Sequence, residues 1–242
     1  MIIAAVAGLI SGLALVAGAA IGWFARVPRV VIAAVMAFGA GVLISALAFD
    51  LMEEATETGG LLPSIAGLVL GAVLYFAGDL ALERASARRH RARSGAASSG
   101  SGLGIALGAL LDGIPETAVQ GVQSAGGALP LAVLIAVVIS NVPEGLSSTA
   151  DMRASGRSAR YVFGLWAGIA GACTIAALLG AVLLGDAGGE VRSVVTSVAA
   201  GAILTMLCNT MIPEAFREMR AWTGVAAVAG FLVSYVVHAA SA

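Results

Sequence analysis

Apolar stretches of about twenty residues recur eight times along the chain, at roughly 2–25, 29–52, 61–83, 102–123, 128–150, 160–185, 190–212 and 220–241. About 20 predominantly apolar residues make one helix long enough to cross a bilayer core. The pattern predicts an all-α integral membrane protein of eight transmembrane helices, residues 1–242 forming a single transmembrane domain. Two of the stretches are interrupted in the same way. The fourth contains Asp112-Gly113-Ile114-Pro115-Glu116, and 28 positions later the fifth contains Ser140-Asn141-Val142-Pro143-Glu144-Gly145. Ionisable residues at membrane depth are expensive and face a polar cavity or a partner. A proline there frees the carbonyl about one turn earlier and bends the helix.

Composition supports the membrane reading. The 242 residues are 60% hydrophobic and 11% charged, against about 25% charged in soluble domains. All thirteen basic residues are arginine, and their placement orients the chain. With the N-terminus outside, twelve of the thirteen fall in inside connections and Arg192 alone falls outside, as the positive-inside rule requires. The chain then lies in the inner or plasma membrane with both termini outside. The opening residues Met1-Ile2-Ile3 carry no basic group, so the first stretch reads as a retained membrane helix. The connection 84–101, with Arg84, Arg88, Arg89, His90, Arg91 and Arg93 followed by Gly/Ser, reads as flexible and cytoplasmic. Gly67 and Gly71 in the third stretch, and Gly164 and Gly168 in the sixth, have the small-xxx-small spacing that permits close helix packing.

The chain also repeats itself. At a constant offset of 160, Gly39–Ala55 aligns with Ala199–Ala215, with Ala40/Ala200, Gly41/Gly201, Leu47/Leu207, Glu54/Glu214 and Ala55/Ala215 identical. The second and seventh helices run in opposite directions in the predicted topology, as do the fourth and fifth. The repeat is therefore inverted, an arrangement associated with secondary transporters. Chance similarity between Ala/Gly/Leu-rich helices is the bland alternative; the matching acidic ends favour a true repeat.

Asp112 and Glu116 are four residues apart and share a helix face, as do Ser140 and Glu144, with Asn141 beside them. Facing one another, the two helices would offer three carboxylates, an amide, a hydroxyl and the carbonyls loosened by Pro115 and Pro143. Such an oxygen-rich set suits a divalent cation. The structural alternative is protonated carboxylates bonded to each other and holding two helices together. Asp50, with Glu53 and Glu54, would collect cations at the outer entrance or mark the interface. Glu214 and Glu218, near Asn209 and Thr210, would do the same inside or be solvated helix ends. Gln120 and Gln123 line the outer end of the fourth helix. Cys173 and Cys208 read as small buried apolar side chains, and His238 as an interfacial residue without a partner. An enzyme is not expected: the chain has no HExxH motif and no Ser/His pair in the helices, and Asp112 has no second aspartate evident at its depth.

These features resemble the ZIP (Zrt/Irt-like) family of divalent-metal transporters, in its bacterial GufA-like branch. The likeness rests on Ala48-FDLMEE-Ala55, on the two Pro-Glu helices with Asn141-VPEG the most specific piece, and on Met211-IPEA. It implies a 3+2+3 inverted-repeat bundle with the metal site between helices four and five. Members carry zinc, iron, manganese or related ions into the cytoplasm, often as homodimers. By position, Glu116, Asn141 and Glu144 match the family's site residues. Asp112 stands where the family has His, Gly113 where it has Asn, and Ser140 where it has His or Gln. The sixth stretch has no acid where many members supply a glutamate. The expectation is therefore one cation rather than two, and an oxygen-only set favouring manganese or ferrous iron over zinc. No resident cofactor is required. The expected partners are the divalent ion, the lipid bilayer and a second copy, and nucleic acid is not among them. The other reading is a relative that keeps the fold and serves as a sensor, a scaffold or a carrier of another solute.

Overall fold

A computed structural model describes the backbone of residues 1–92 and 102–241, and the side chains of residues 1–85 and 108–240. Among the described residues every regular element is helical. The helices form eight rods: α1 (Ile2–Phe24), α2 (Arg29–Gly59), α3 (Leu61–Ala92), α4 (Gly102–Ser124), α5 (Leu131–Ala154), α6 (Ala159–Leu184), α7 (Gly189–Met219) and α8 (Trp222–Ser241). Among the described residues, seven of the eight, all but α4, contain a stretch long and apolar enough to cross a membrane. This is a multi-pass helical membrane bundle.

The expected connection at 84–101 begins later than its composition suggested, because α3 stays helical to Ala92. Arginine is a good helix former, so an Arg-rich stretch can extend the helix beyond the apolar span. The side chains of Arg88, Arg89, His90 and Arg91, and all of Arg93, lie outside the described residues, and so does the rest of that connection. The turn between α2 and α3 is a single residue, Gly60, at φ 90°, a backbone conformation that glycine adopts without a Cβ clash. Ser158 starts α6 by accepting a hydrogen bond from the Tyr161 N–H.

Neither Pro115 nor Pro143 breaks its helix; α4 and α5 run helical through both. The irregular turns lie elsewhere. A π-helical turn widens α2 at Leu47–Leu51, and another widens α7 at Leu207–Met211, 160 positions on. Pro213, just after the turn in α7, removes an N–H from the ladder and crowds the carbonyl before it. Glu53 occupies the corresponding place in α2, so a proline does not explain both. In α2 the wide turn instead aims Phe49 at Phe231, Tyr235 and His238 of α8, and Asp50 at His238. Such bulges often sit at functional positions.

Helix pairs are joined by glycines, one from each partner. A Cβ on Gly18 would lie 2.1 Å from a backbone oxygen of α5, and one on Gly145 would lie 2.2 Å from α1. The same holds for Gly41 and Gly230 between α2 and α8 (1.8 and 2.0 Å), Gly71 and Gly201 between α3 and α7 (1.9 and 2.0 Å), and Gly121 and Gly180 between α4 and α6 (1.9 and 2.2 Å). In a bundle whose outside is also apolar, such close backbone approach supplies much of the packing energy. Gly67 packs on α7 as its spacing suggested, but Gly164 and Gly168 have nothing within 4 Å of an added Cβ. Their spacing stems from an Ala/Gly-rich composition and joins no helices in the described bundle. The main core lies between α2, α4, α5 and α7, around Leu43, Leu47, Val119, Val137, Ile203 and Leu207. The apolar faces of α3 and α8 are mostly exposed, as lipid-facing helices would be.

Overpacking a core costs typically about 1–3 kcal/mol, and a new Cβ 1.9 Å from a carbonyl demands backbone movement. Gly71→Leu is expected to lower the unfolding temperature in detergent sharply or to prevent folding. Gly164→Leu is expected to leave that temperature unchanged, and equal losses in both variants would contradict the packing described.

Candidate functional site

Going along α4, Asp112, Glu116, Gln120 and Gln123 succeed one another at spacings of about one helical turn, or roughly 5.4 Å of rise. Each meets a different set of partners, and together they divide the bundle axis into layers.

Asp112 accepts a 2.6 Å hydrogen bond at Oδ1 from the Tyr75 hydroxyl of α3. With Glu144 of α5 it lines a cavity of about 170 Å³, roomy enough for several waters. Ser147, Ser148, Thr210 and Glu214 complete the polar wall, and Met36, Met206 and Met211 the apolar one. Glu214 accepts a 2.8 Å hydrogen bond from Ser147 Oγ. Ser147, Glu214 and Met36 also belong to a second, wider cavity of about 400 Å³, lined by Arg29, Asp151, Arg217 and Glu218. The two cavities thus share a wall. They lead from Asp112 and Glu144 to the end of the bundle where α2 begins and α7 finishes.

One turn deeper, Glu116 is 2% exposed and does not line that cavity. Glu144 lies within Coulombic reach of Asp112, Glu116 and Glu214. Cys173 of α6 lies against the same level: its Sγ would be 3.0 Å from a Cβ on Gly113, and it is within Coulombic reach of Glu116 and Glu144.

The next layer is closed. Ser11 Oγ of α1 donates to Gln120 Oε1 at 2.9 Å, and Asn141 Nδ2 of α5 donates to the Ser11 carbonyl at 3.0 Å. All three residues are buried, and Gln120 Nε2 has no hydrogen-bond partner among the described residues. One turn further, Gln123 Nε2 donates to Glu54 Oε2 of α2, and Arg192 of α7 pairs with Glu54 at 3.6 Å.

The candidate residues are therefore distributed rather than gathered. Asp112 and Glu144 share the cavity; Glu116 is buried behind it. Asn141 is tied to α1 through its amide nitrogen, and Ser140 Oγ donates its proton back to the Val137 carbonyl at 2.9 Å. Asp50 lies away from the cavity, paired with His238 at 2.9 Å. His238, expected to have no partner, has one because the wide turn of α2 brings Asp50 to α8. Cys208 is exposed rather than buried, while Cys173 is buried; both are free thiols. Among the described residues no three His, Cys, Asp or Glu side chains are close enough together to hold a metal ion.

Sequence reasoning missed Tyr75, Ser11, Ser147 and Arg192 as parts of this ladder. Ser147 stands three residues beyond Glu144 and was legible by helical spacing. Tyr75 and Ser11 each read as a single polar atom in an apolar stretch, and their partners lie 37 and 109 residues away. No protein-family model matches the chain, and a search of curated proteins found no match.

A typical net hydrogen bond contributes about 1 kcal/mol. Tyr75→Phe keeps the ring and removes the donor to Asp112. It is expected to lower the unfolding temperature by a few degrees, and an unchanged temperature would show that the bond contributes nothing to stability.

Proposed function

We propose that the protein carries a divalent metal cation across the membrane by alternating access, as a relative of the ZIP transporters. The observation that carries the reading is the shared wall of the two cavities. Three carboxylates, Asp112, Glu144 and Glu214, face one space, and that space reaches one end of the bundle while two polar layers close the other. Negative side chains facing a cavity attract cations and mark ion pathways at membrane depth. Oxygen donors from carboxylates and hydroxyls suit hard or borderline divalent ions such as manganese and ferrous iron, with zinc the softer alternative.

In this reading the cation sits between Asp112 and Glu144. Glu116 and Asn141 complete its shell when the site tightens, with Ser140 beside them, and Glu214 passes the ion to the wider vestibule, where Asp151 and Glu218 also face the space. Supporting an inverted 3+2+3 arrangement are the coincident π-helical turns of α2 and α7 and their matching bounds, Arg29–Gly59 and Gly189–Met219. The arginine distribution supports a cytoplasmic vestibule with both termini outside, in the inner or plasma membrane. The scattered ligands support a second reading, a non-transporting relative, since no three-ligand cluster exists among the described residues in this conformation.

Uptake of manganese, ferrous iron, zinc and cadmium into proteoliposomes separates the two. Wild type is expected to load at least one of these ions, and Asp112→Asn with Glu144→Gln to reduce that uptake at least tenfold. Folded wild type that loads none of them would leave the non-transporting reading in place. Uptake is also expected to weaken as the pH falls, because a protonated carboxyl is a poor ligand and metal binding must displace the proton. A flat pH profile would argue against carboxylate ligation.

A further inference from the structure

Glu54 and Glu214 occupy equivalent places. They are 160 positions apart in the repeated stretch, and each stands three residues after a π-helical turn, at Leu47–Leu51 and Leu207–Met211. The described conformation treats them differently. Glu214 is bonded to Ser147 and lines both cavities. Glu54 is covered from two other helices, by the Gln123 amide of α4 and the Arg192 guanidinium of α7.

The cover is loosely made. The Arg192–Glu54 contact is 3.6 Å long, with both side chains about a third exposed. Among the described residues, Arg192 Nε and Gln123 Oε1 are both buried without a hydrogen-bond partner. A guanidinium usually meets a carboxylate through two short parallel bonds, and this one does not. The amide oxygen of Gln123, beside Glu54, is an unused acceptor of the kind a cation would take. At the Glu214 end the offset of 160 places Ile32 where Arg192 would be, and Ile32 lines the vestibule. Arg29 and Arg217 line the same cavity as Glu214, but Arg29 pairs with Asp151 instead, and no charge stands at the position equivalent to Arg192.

We infer that Glu54, with the Gln123 amide oxygen, is the cation port of the closed end, and that Arg192 occupies it as a tethered substitute cation which an arriving divalent ion displaces. The inference rests on the proposed transport reading and extends it. Displacement would free the layer beneath, where Ser11, Gln120 and Asn141 join α1, α4 and α5. Glu54 would then do at one end what Glu214 does at the other. The guanidinium also keeps the port occupied by positive charge when no metal is bound, so Glu54 is never left uncompensated near the apolar core.

The test is manganese binding to purified protein in detergent, read as loss of the free Mn²⁺ resonance. Arg192→Gln is expected to bind one more Mn²⁺ per chain than wild type, or to bind it about tenfold more tightly. Arg192→Met, which keeps the apolar stem, should do the same if the glutamine variant folds poorly. Arg192→Lys, still cationic, should stay near wild type. The gain should vanish in Arg192→Gln/Glu54→Gln. A folded Arg192 variant with no gain, or a gain that survives Glu54→Gln, overturns the proposal. A second readout reports opening: Ser11→Cys, in a Cys173→Ala/Cys208→Ala background, should react with a charged thiol reagent faster when Arg192→Gln is added, and from the Glu54 face only. An unchanged rate from that face overturns the opening step. Failure of the transport reading is separately visible, because wild type would then load no ion into vesicles whether or not Arg192→Gln gains manganese.

Discussion

The constraint on which the rest of the structure depends is the cost of placing carboxylates inside an apolar bundle. Asp112, Glu116 and Glu144 stand on helices surrounded by hydrocarbon side chains, where an ionised group needs a polar neighbour, water or a counter-ion. The protein meets that need with several devices. Tyr75 holds Asp112 by one hydrogen bond, and Asp112 and Glu144 line a cavity with room for water. Elsewhere in the same bundle Glu214 is bonded to Ser147 and Glu54 to Gln123 and Arg192.

Holding these groups in register demands rigid helices at short separations. The glycine pairs provide this. Where Gly18 meets Gly145 and Gly121 meets Gly180, α1, α4, α5 and α6 approach backbone to backbone. The same approach brings Ser11, on α1, close enough to bond Gln120 and accept from Asn141. The polar layers are thus a consequence of small-residue packing. A bulkier residue at any of these glycines would separate helices and pull a hydrogen-bonded layer apart.

The π-helical turns add the irregularity that the packing lacks. Beyond each turn stands a glutamate with polar neighbours, Glu54 against Gln123 and Arg192 and Glu214 against Ser147 and the cavity. Two helices with the same defect in the same place meet opposite surroundings: an arginine and a glutamine at one end, a serine and open space at the other. The difference between the two ends thus comes down to few side chains.

Much of this architecture was legible in the sequence. The eight apolar stretches, the Pro-Glu motifs and the repeat at an offset of 160 are local or periodic signals, set by the lengths a bilayer demands and by the residues a helix tolerates. The surroundings of each polar residue were decided by tertiary structure. Asn141 and Ser140 share a face with Glu144 by spacing, but only the folded bundle shows that the Asn141 amide nitrogen bonds α1 and the Ser140 hydroxyl donates to its own backbone. Asp50 stands at an acidic helix end by sequence, and the fold adds a partner, His238, 188 residues away. Gly164 and Gly168 carry the same spacing as Gly67 and Gly71, but only the second pair meets another helix. Helical periodicity states which residues share a face; it does not state which neighbour that face meets. That depends on how eight rods rotate about their axes to bring their glycines together, a collective packing choice that no single stretch of sequence encodes.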